Sequence, residues 1–217
     1  MTQLEAIQAR HSVRKYMDKP IPQDLIEALD AEISACNRES GLHMQLITGE
    51  EKAFGGMLGF SRVKNYIALV GGNTADFDEK SGYYGERIAL TAQMLGLNTC
   101  WAAMSYSKRK CSAVVAKDEK LGCAIAVGFG ATQGKPHRSK PMNAVCKTAE
   151  DIPGWFQAGV EAALLAPTAV NQQRFLFTLT GNTVKAETTG GPCCKIDLGI
   201  VKYHFEVGAG KERFHWA

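Results

Sequence analysis

The chain has 217 residues, 45% hydrophobic and 22% charged, which is the composition of a folded globular protein and excludes long disorder. Its 25 Lys and Arg against 22 Asp and Glu leave a formal charge of +3 with no long basic run, so no nucleic-acid partner is expected. No apolar stretch approaches the roughly 18 residues of a membrane helix, and Met1 to Glu5 is polar where a signal peptide is basic and then apolar, so a cytoplasmic chain without a membrane partner is expected.

The first helix is predicted over Thr2 to Ala9, with Leu4, Ala6 and Ile7 on one face, ending at the polar cluster Arg10 to Arg14. Pro20 and Pro22 bracket a turn, and Pro22-Gln-Asp24 opens a helix to about Cys36 with Leu25, Ile26, Leu29 and Ile33 as its apolar stripe. A strand is expected from Leu42 to Thr48, and a second, buried on both faces, from Tyr66 to Val70. Tyr84, Ile88, Ala92 and Leu95 have helical spacing, placing a helix over Ser81 to Leu95 with Gly96 as its stop, followed by an extended segment from Thr99 to Ala103. Cys123 to Phe129 reads as a strand, and Ala131 to Asn143 as a polar loop broken by Gly134, Pro136 and Pro141. Trp155 to Leu165 is helical, stopped by Pro167. Phe175 to Thr180 and Thr183 to Glu187 form two strands around Gly181-Asn182, and a last helix runs from Asp197, as its N-cap, to about Phe205. Helices interleaved with strands imply an α/β or α+β sandwich with a mixed sheet. The helix plus strand at Leu25 to Thr48 and that at Trp155 to Thr180 are alike in length and texture.

Seven cysteines, at 36, 100, 111, 123, 146, 193 and 194, are odd in number, scattered and without C-x-x-C spacing, which fits reduced thiols better than a disulfide framework or a structural zinc. Cys193 and Cys194 are expected as a buried, inert pair, since adjacent cysteines bridge only with backbone strain. The five histidines show no metal spacing, no Gly-x-Ser-x-Gly elbow is present, and His204 is expected to be packed or capping and not a base. Gly128-Phe-Gly130 follows a strand, but no helix opens within the glycines, so a Rossmann site is rejected. Three segments remain. Arg10-His-Ser-Val-Arg14, if extended, points Arg10, Ser12 and Arg14 the same way as a fork of donors suited to a phosphate; a solvated basic turn is the alternative. His137-Arg-Ser-Lys140 is a second basic group that converges on the same anion or only solubilises a loop. In Ala166-Pro-Thr-Ala-Val-Asn-Gln-Gln-Arg-Phe-Leu-Phe177, Pro167 ends a helix and Thr168, Asn171 and Gln173 offer polar groups in a fixed frame, either for a planar heterocycle or for a helix-to-strand turn.

Taken together, four segments resemble the FMN-dependent nitroreductase family. Arg10-His-Ser-Val-Arg14 with Tyr16 and Pro20-Ile-Pro22 is similar to its N-terminal signature. Ala166 to Phe177 is similar to its Ala-Pro-Ser-x-x-Asn-x-Gln-Pro-Trp-x-Phe loop, with Thr168, Arg174 and Phe175 as departures. Leu95-Gly-Leu-Asn-Thr-Cys-Trp101 resembles Gly-Leu-Gly-x-x-Trp, and Val127-Gly-Phe-Gly130 with Arg138 and Lys140 resembles a strand ending in Gly-Tyr-Pro and its basic pair. The resemblance implies a nitroreductase-like α+β fold, an α-β-α sandwich with a mixed, mostly antiparallel sheet, spanning residues 1 to 217. It implies FMN held by Arg10, His11, Ser12, Arg14, Arg138 and Lys140 at its phosphate and ribityl end. Thr168, Asn171 and Gln173, after Pro167, would meet its ring or ribityl, and the backbone at Ala103 and Met104 would approach N5. NADH or NADPH is the implied donor, and a nitroaromatic, quinone or similar small molecule the acceptor. No side chain is required as a catalytic acid or base. The alternative is a non-catalytic protein of the same fold, with flavin or without. In ordinary members the Ala-Pro-Ser loop comes early and reaches flavin across a homodimer interface. Here the early equivalent, Ser34 to Gln45, is degraded and the better copy comes late, so the chain resembles a short TM-type subgroup. The expectation is a pseudo-dimer in one chain, with halves at 1–143 and 152–217, acting as a monomer or again as a homodimer.

Overall fold

The structure is a computed structural model that describes residues 1–56, 59–148 and 151–217. Helix α1 (Gln3–Ala9) opens with a capping box in which the Thr2 hydroxyl accepts from the Glu5 N–H and the Glu5 carboxylate accepts from the Thr2 N–H. Helix α2 (Gln23–Ser40) outruns its predicted end and stops at Gly41, whose φ of 73° suits a residue without Cβ. Strands β1 (Gln45–Ile47) and β2 (Tyr66–Gly72) follow, then helix α3 (Phe77–Met94) and strands β3 (Asn98–Ala102) and β4 (Glu119–Gly128). The second series is β5 (Cys146–Thr148), helix α4 (Gly154–Ala163), β6 (Phe175–Thr180), β7 (Thr183–Thr188), helix α5 (Cys194–Ala209) and β8 (His215–Trp216).

The α+β class holds, with the strands divided between two sheets. The first, ordered β1-β2-β4-β3, is antiparallel throughout; the second, β5-β6-β7-β8, is mixed, with β6 and β7 antiparallel between two parallel neighbours. Alternation in the first sheet sorts its side chains. Ile67, Leu69, Cys123, Ile125 and Val127 join the main core with the helices and the second sheet, while Tyr66, Ala68, Val70, Ala124 and Ala126 face a smaller core closed by Val13, Tyr16, Phe54 and Tyr106. Phe175, Phe177 and Leu179 of β6 enter the main core on the same period-two logic.

The order helix, antiparallel strand pair, helix occurs twice, as α2-β1-β2-α3 and as α4-β6-β7-α5. The closing helices of the two units pack on each other through glycine. A Cβ on Gly82, the sixth residue of α3, would lie 2.0 Å from the Ile196 carbonyl oxygen, and a Cβ on Gly199, the sixth residue of α5, would lie 2.0 Å from the Glu79 carbonyl oxygen. Ile196 and Glu79 are in turn the third residues of their helices, so the contact is reciprocal, as at a two-fold interface. Only glycine permits so close an approach from both sides.

One helix expectation and one strand expectation are corrected. Asp197 is not the N-cap of α5: Cys193 occupies that position with φ 55°, and Asp197 lies in the first turn with its carboxylate turned to a neighbouring loop. Strand β4 begins at Glu119, four residues before the predicted apolar run, because Glu119 and Lys120 pair with Gly72 and Gly71 and Leu121 with Val70. No helix among the described residues is long and apolar enough to cross a membrane.

Candidate functional site

The segment after α1 is extended and laid along the first sheet. Ser12 bridges Thr99 of β3, the Val13 N–H donates to the Thr99 carbonyl, and Tyr16 bridges Gly130 beyond the end of β4. This places Ser12 and Arg14 on the wall of a cavity of about 520 Å³. Trp101, Ala103, Met104 and Ser105, at and just past the end of β3, form a second wall. Pro167 to Val170 form a third, and Cys193, Ile196, Asp197 and Ile200 of α5 and its preceding residue close the fourth. The cavity is thus built from both series of elements. Its size falls within the range of cofactor sites, about 300–1,000 Å³.

Of the predicted site residues, Ser12, Arg14, Ala103, Met104, Pro167 and Thr168 line this cavity; Arg10, His11, Arg138, Lys140, Asn171 and Gln173 do not. Arg10 is turned inward and buried, contrary to its expected place beside Ser12 and Arg14. Its Nε lies 3.5 Å from the buried Glu86 carboxylate, and neither Nε nor Nη1 has a hydrogen-bond partner. Glu86 also accepts from Trp101 Nε1 at 2.7 Å, and its other oxygen stands 2.9 Å from His204 Nε2. His204 Nδ1 faces the Ala162 carbonyl at 3.0 Å, so this histidine is fully packed, as expected. Trp101 lines the cavity and gives its N–H to this cluster.

The two loops singled out in the sequence do meet, but they hold each other. The buried Gln173 side chain donates to the Arg138 carbonyl and to Asn171 Oδ1 and accepts from the Lys140 N–H; Lys140 Nζ donates to the Gln173 carbonyl at 2.9 Å, and Asn171 Nδ2 donates to the Arg138 carbonyl. His137 and Ser139 both reach the Leu164 carbonyl. Asn171 and Gln173 therefore position the basic loop, while the Arg138 side chain is exposed. That loop passes over His11: a Cβ on Gly134 would stand 2.7 Å from the His11 Cβ. Partial burial, then Arg10 and then His137 hold the His11 imidazole below its usual titration range.

Sequence reasoning missed Asp197. Its carboxylate accepts from the Ala169 N–H at 3.0 and 3.1 Å and from Gln172 Nε2 at 2.7 Å, and burial pushes it up to about 6 in spite of these donors. It thereby ties α5 to a loop whose backbone is strained, with Val170, Asn171 and Gln173 at φ 46°, 54° and 46°. Thr168 secures the same loop by accepting from the Gln173 N–H at 3.0 Å. Cys193 and Cys194 are half-exposed free thiols and not a buried pair, and Cys193 lines the cavity, where burial and the nearby Asp197 and Asp78 raise its thiol.

A model of the family described as "Putative TM nitroreductase" matches residues 2–209. The chain belongs to that nitroreductase family. Among solved structures, a putative nitroreductase from Thermotoga maritima aligns over 99% of this chain and 87% of its own, with 24% identity and a TM-score of 0.68. A putative nitroreductase in complex with FMN from Desulfovibrio desulfuricans aligns over 70% of this chain and 99% of its own, at 18% identity and TM-score 0.54. A putative NADH dehydrogenase/NAD(P)H nitroreductase from Bacteroides thetaiotaomicron aligns over 66% of this chain and 95% of its own, at 20% identity and TM-score 0.53. These likenesses establish the nitroreductase fold. The last two relatives use nearly their whole length on about two thirds of this chain. No functionally curated protein matches the sequence.

Proposed function

We propose that this nitroreductase-family protein is an FMN-dependent oxidoreductase that takes electrons from NADH or NADPH and passes them to a small acceptor such as a nitroaromatic or a quinone. The observation that carries this reading is the shared cavity, onto which six of the twelve predicted site residues open from segments far apart in the chain. The donor set suits the cofactor. The Ser12 hydroxyl and Arg14 guanidinium supply donors for an anionic end, while Trp101, Pro167, Ile196 and Ile200 supply flat or apolar wall for a ring. Thr168 Oγ1, which already accepts from Gln173, keeps its O–H to donate. Arg138 and Lys140 stand outside the cavity, Lys140 bonded to the Gln173 carbonyl, and are left out of this donor set. Bound FMN would supply the hydride chemistry, and the protein the binding, the orientation and the exclusion of water.

The late loop, Pro167 to Gln173, does in this reading what a second subunit's loop does in ordinary members. The reciprocal Gly82 and Gly199 contact and the repeated helix-strand-strand-helix order support two halves, 1–143 and 152–217, acting as one pseudo-dimer. In this reading the site needs no second copy of the chain, whether the protein is a monomer or a homodimer, and a cytoplasmic location is in keeping with the free thiols. A cofactor-free member of the family is the second reading, favoured by the inward turn of Arg10. Spectroscopy separates the two. The expected result is a yellow protein whose flavin absorbance is bleached by NADH or NADPH and which loses flavin in Arg14→Ala; a colourless preparation that ignores added FMN overturns it.

A further inference from the structure

Two observations at the cavity are not used by the reading above. The first is its mouth. Val170 is 88% exposed and Met104 81% exposed, the two most exposed large hydrophobic side chains among the described residues, and both belong to this one cavity. Val170 is held outward by a left-handed backbone, φ 46° and ψ 28°, which a β-branched residue adopts only at a cost. The second is charge. Arg14 and Asp197 are the charged side chains among the lining residues. They come from different segments, Arg14 from the stretch after α1 and Asp197 from α5; the lining also holds Trp101, Pro167, Ile196, Ile200 and two cysteines, and Asp197 is itself buried, a setting in which a carboxylate's field is weakly screened.

Asp197 accepts from an N–H and an amide, both neutral, so its negative charge has no cationic partner. A carboxylate has about four acceptor positions, and the bonds from Ala169 and Gln172 leave Oδ1 able to accept again. Near the same wall, Asp78 of α3 adds negative charge and Lys108 positive charge beside Cys193.

We infer that Asp197 is a specificity-determining residue: the cavity takes a planar aromatic, gripped at its rim by Met104 and Val170, that is neutral and carries a hydrogen-bond donor, and it rejects the matched carboxylate. This rests on the oxidoreductase reading, since Arg14 is then committed to the cofactor and cannot offset the charge of Asp197.

The test is a pair of equal-sized probes, 4-nitrobenzamide and 4-nitrobenzoate, titrated at pH 8 into the oxidised flavin-loaded protein and followed by the flavin absorbance change. Wild type is expected to bind the amide at least about 10-fold more tightly, a difference of about 1.4 kcal/mol. Asp197→Asn is expected to bring the two within about twofold. Met104→Ser is expected to weaken both probes and leave their ratio unchanged. Equal binding of the two probes by wild type overturns the inference without recourse to any variant, as does an unchanged ratio in a folded Asp197→Asn protein. Should no flavin bind, the oxidoreductase reading fails. The same titration on Arg14→Ala, in which no guanidinium offsets Asp197, read by Trp101 fluorescence against a Trp101→Phe control, then decides the specificity separately: the amide preference must be present, and its absence overturns the inference.

Discussion

Two buried carboxylates stand on the two closing helices, Glu86 on α3 and Asp197 on α5, and they have different surroundings. Glu86 of α3 lies in a closed cluster, with the Arg10 guanidinium, the His204 ring and the Trp101 N–H all directed at it. Asp197 of α5 lies on the cavity wall and meets only the N–H of Ala169 and the amide of Gln172. Both helices pack through a glycine at the same internal position, so the frame is alike and the difference is in the partners. Glu86 ties α3 to β3, to α5 and to the end of α1. Asp197 keeps its charge for whatever enters the cavity.

The comparison breaks most severely at Glu86. Glu86→Leu would leave the Arg10 guanidinium buried with no carboxylate and would strip acceptors from Trp101 and His204. Removing one partner of a buried pair costs about 3–5 kcal/mol. Urea unfolding is expected to show a loss of that order, with a matching fall in midpoint at unchanged slope. A loss below about 1 kcal/mol would mean that Arg10 finds solvent or another acceptor, and that the cluster does not hold α3 to α5.

Asp197 should act in the opposite sense and more weakly. Burial raises its folded-state carboxyl from 3.8 to about 6, so the folded protein favours the protonated form more than the unfolded chain does. The associated stability is fully present below about pH 4 and is lost as pH rises through about 6. The shift sets a ceiling of about 1–3 kcal/mol, at 1.36 kcal/mol per unit. Asp76 runs the other way, since hydrogen bonds from Lys80 and Thr74 hold it near 2 and its contribution is lost only as pH falls toward that value. Chemical unfolding from pH 7 to 4 should therefore show wild type gaining stability that Asp197→Asn does not gain. Parallel profiles for the two proteins would contradict this account of Asp197.

Much of the fold was legible because its segments are punctuated. Gly96, Pro167 and Gly181-Asn182 mark the boundaries of α3, α4 and the β6–β7 turn, whereas α2 runs past its expected end at Cys36 to Gly41. The short strands β5 and β8 were not, since three and two residues of parallel pairing leave no periodic pattern. At the site, Ser12, Arg14 and the Pro167-Thr168 turn were legible from residue type and spacing. Arg10 was misread because alternation gives direction only along a paired strand, and the residue is the C-cap of α1, its N–H still bonded to the Ala6 carbonyl, while the pairing begins at Ser12. Asn171 and Gln173 were legible as polar groups in a fixed frame, but the same pattern serves a loop that hydrogen-bonds to its neighbour. Glu86 left one signal, a lone acid amid Gly82, Gly85, Ile88, Ala89 and Leu90 on a helix that is buried nearly all round. Its partners, 76 residues earlier and 118 later, are visible only once the helices pack.

The smallest expected effect is at Val170, and it separates strain from function on the cavity wall. Its φ of 46° is in the left-handed region, where a branched Cβ is unfavourable and glycine is at ease. The side chain is exposed, so Val170→Gly removes no buried surface, although it also loosens the unfolded chain. Strain of about 1–3 kcal/mol per such residue, set against that entropy, gives a net gain of about 0.5–1 kcal/mol. Val170→Asn should give a similar gain, because asparagine tolerates the same backbone without glycine's freedom. Thermal unfolding of both variants tests this, with a rise in midpoint expected for each. If Val170 grips a ligand, the more stable variants bind the aromatic probes less well, so stability and affinity move in opposite directions. A variant that gains stability and keeps full affinity would leave the strained valine without a role at the rim, and Met104 would have to carry that contact alone.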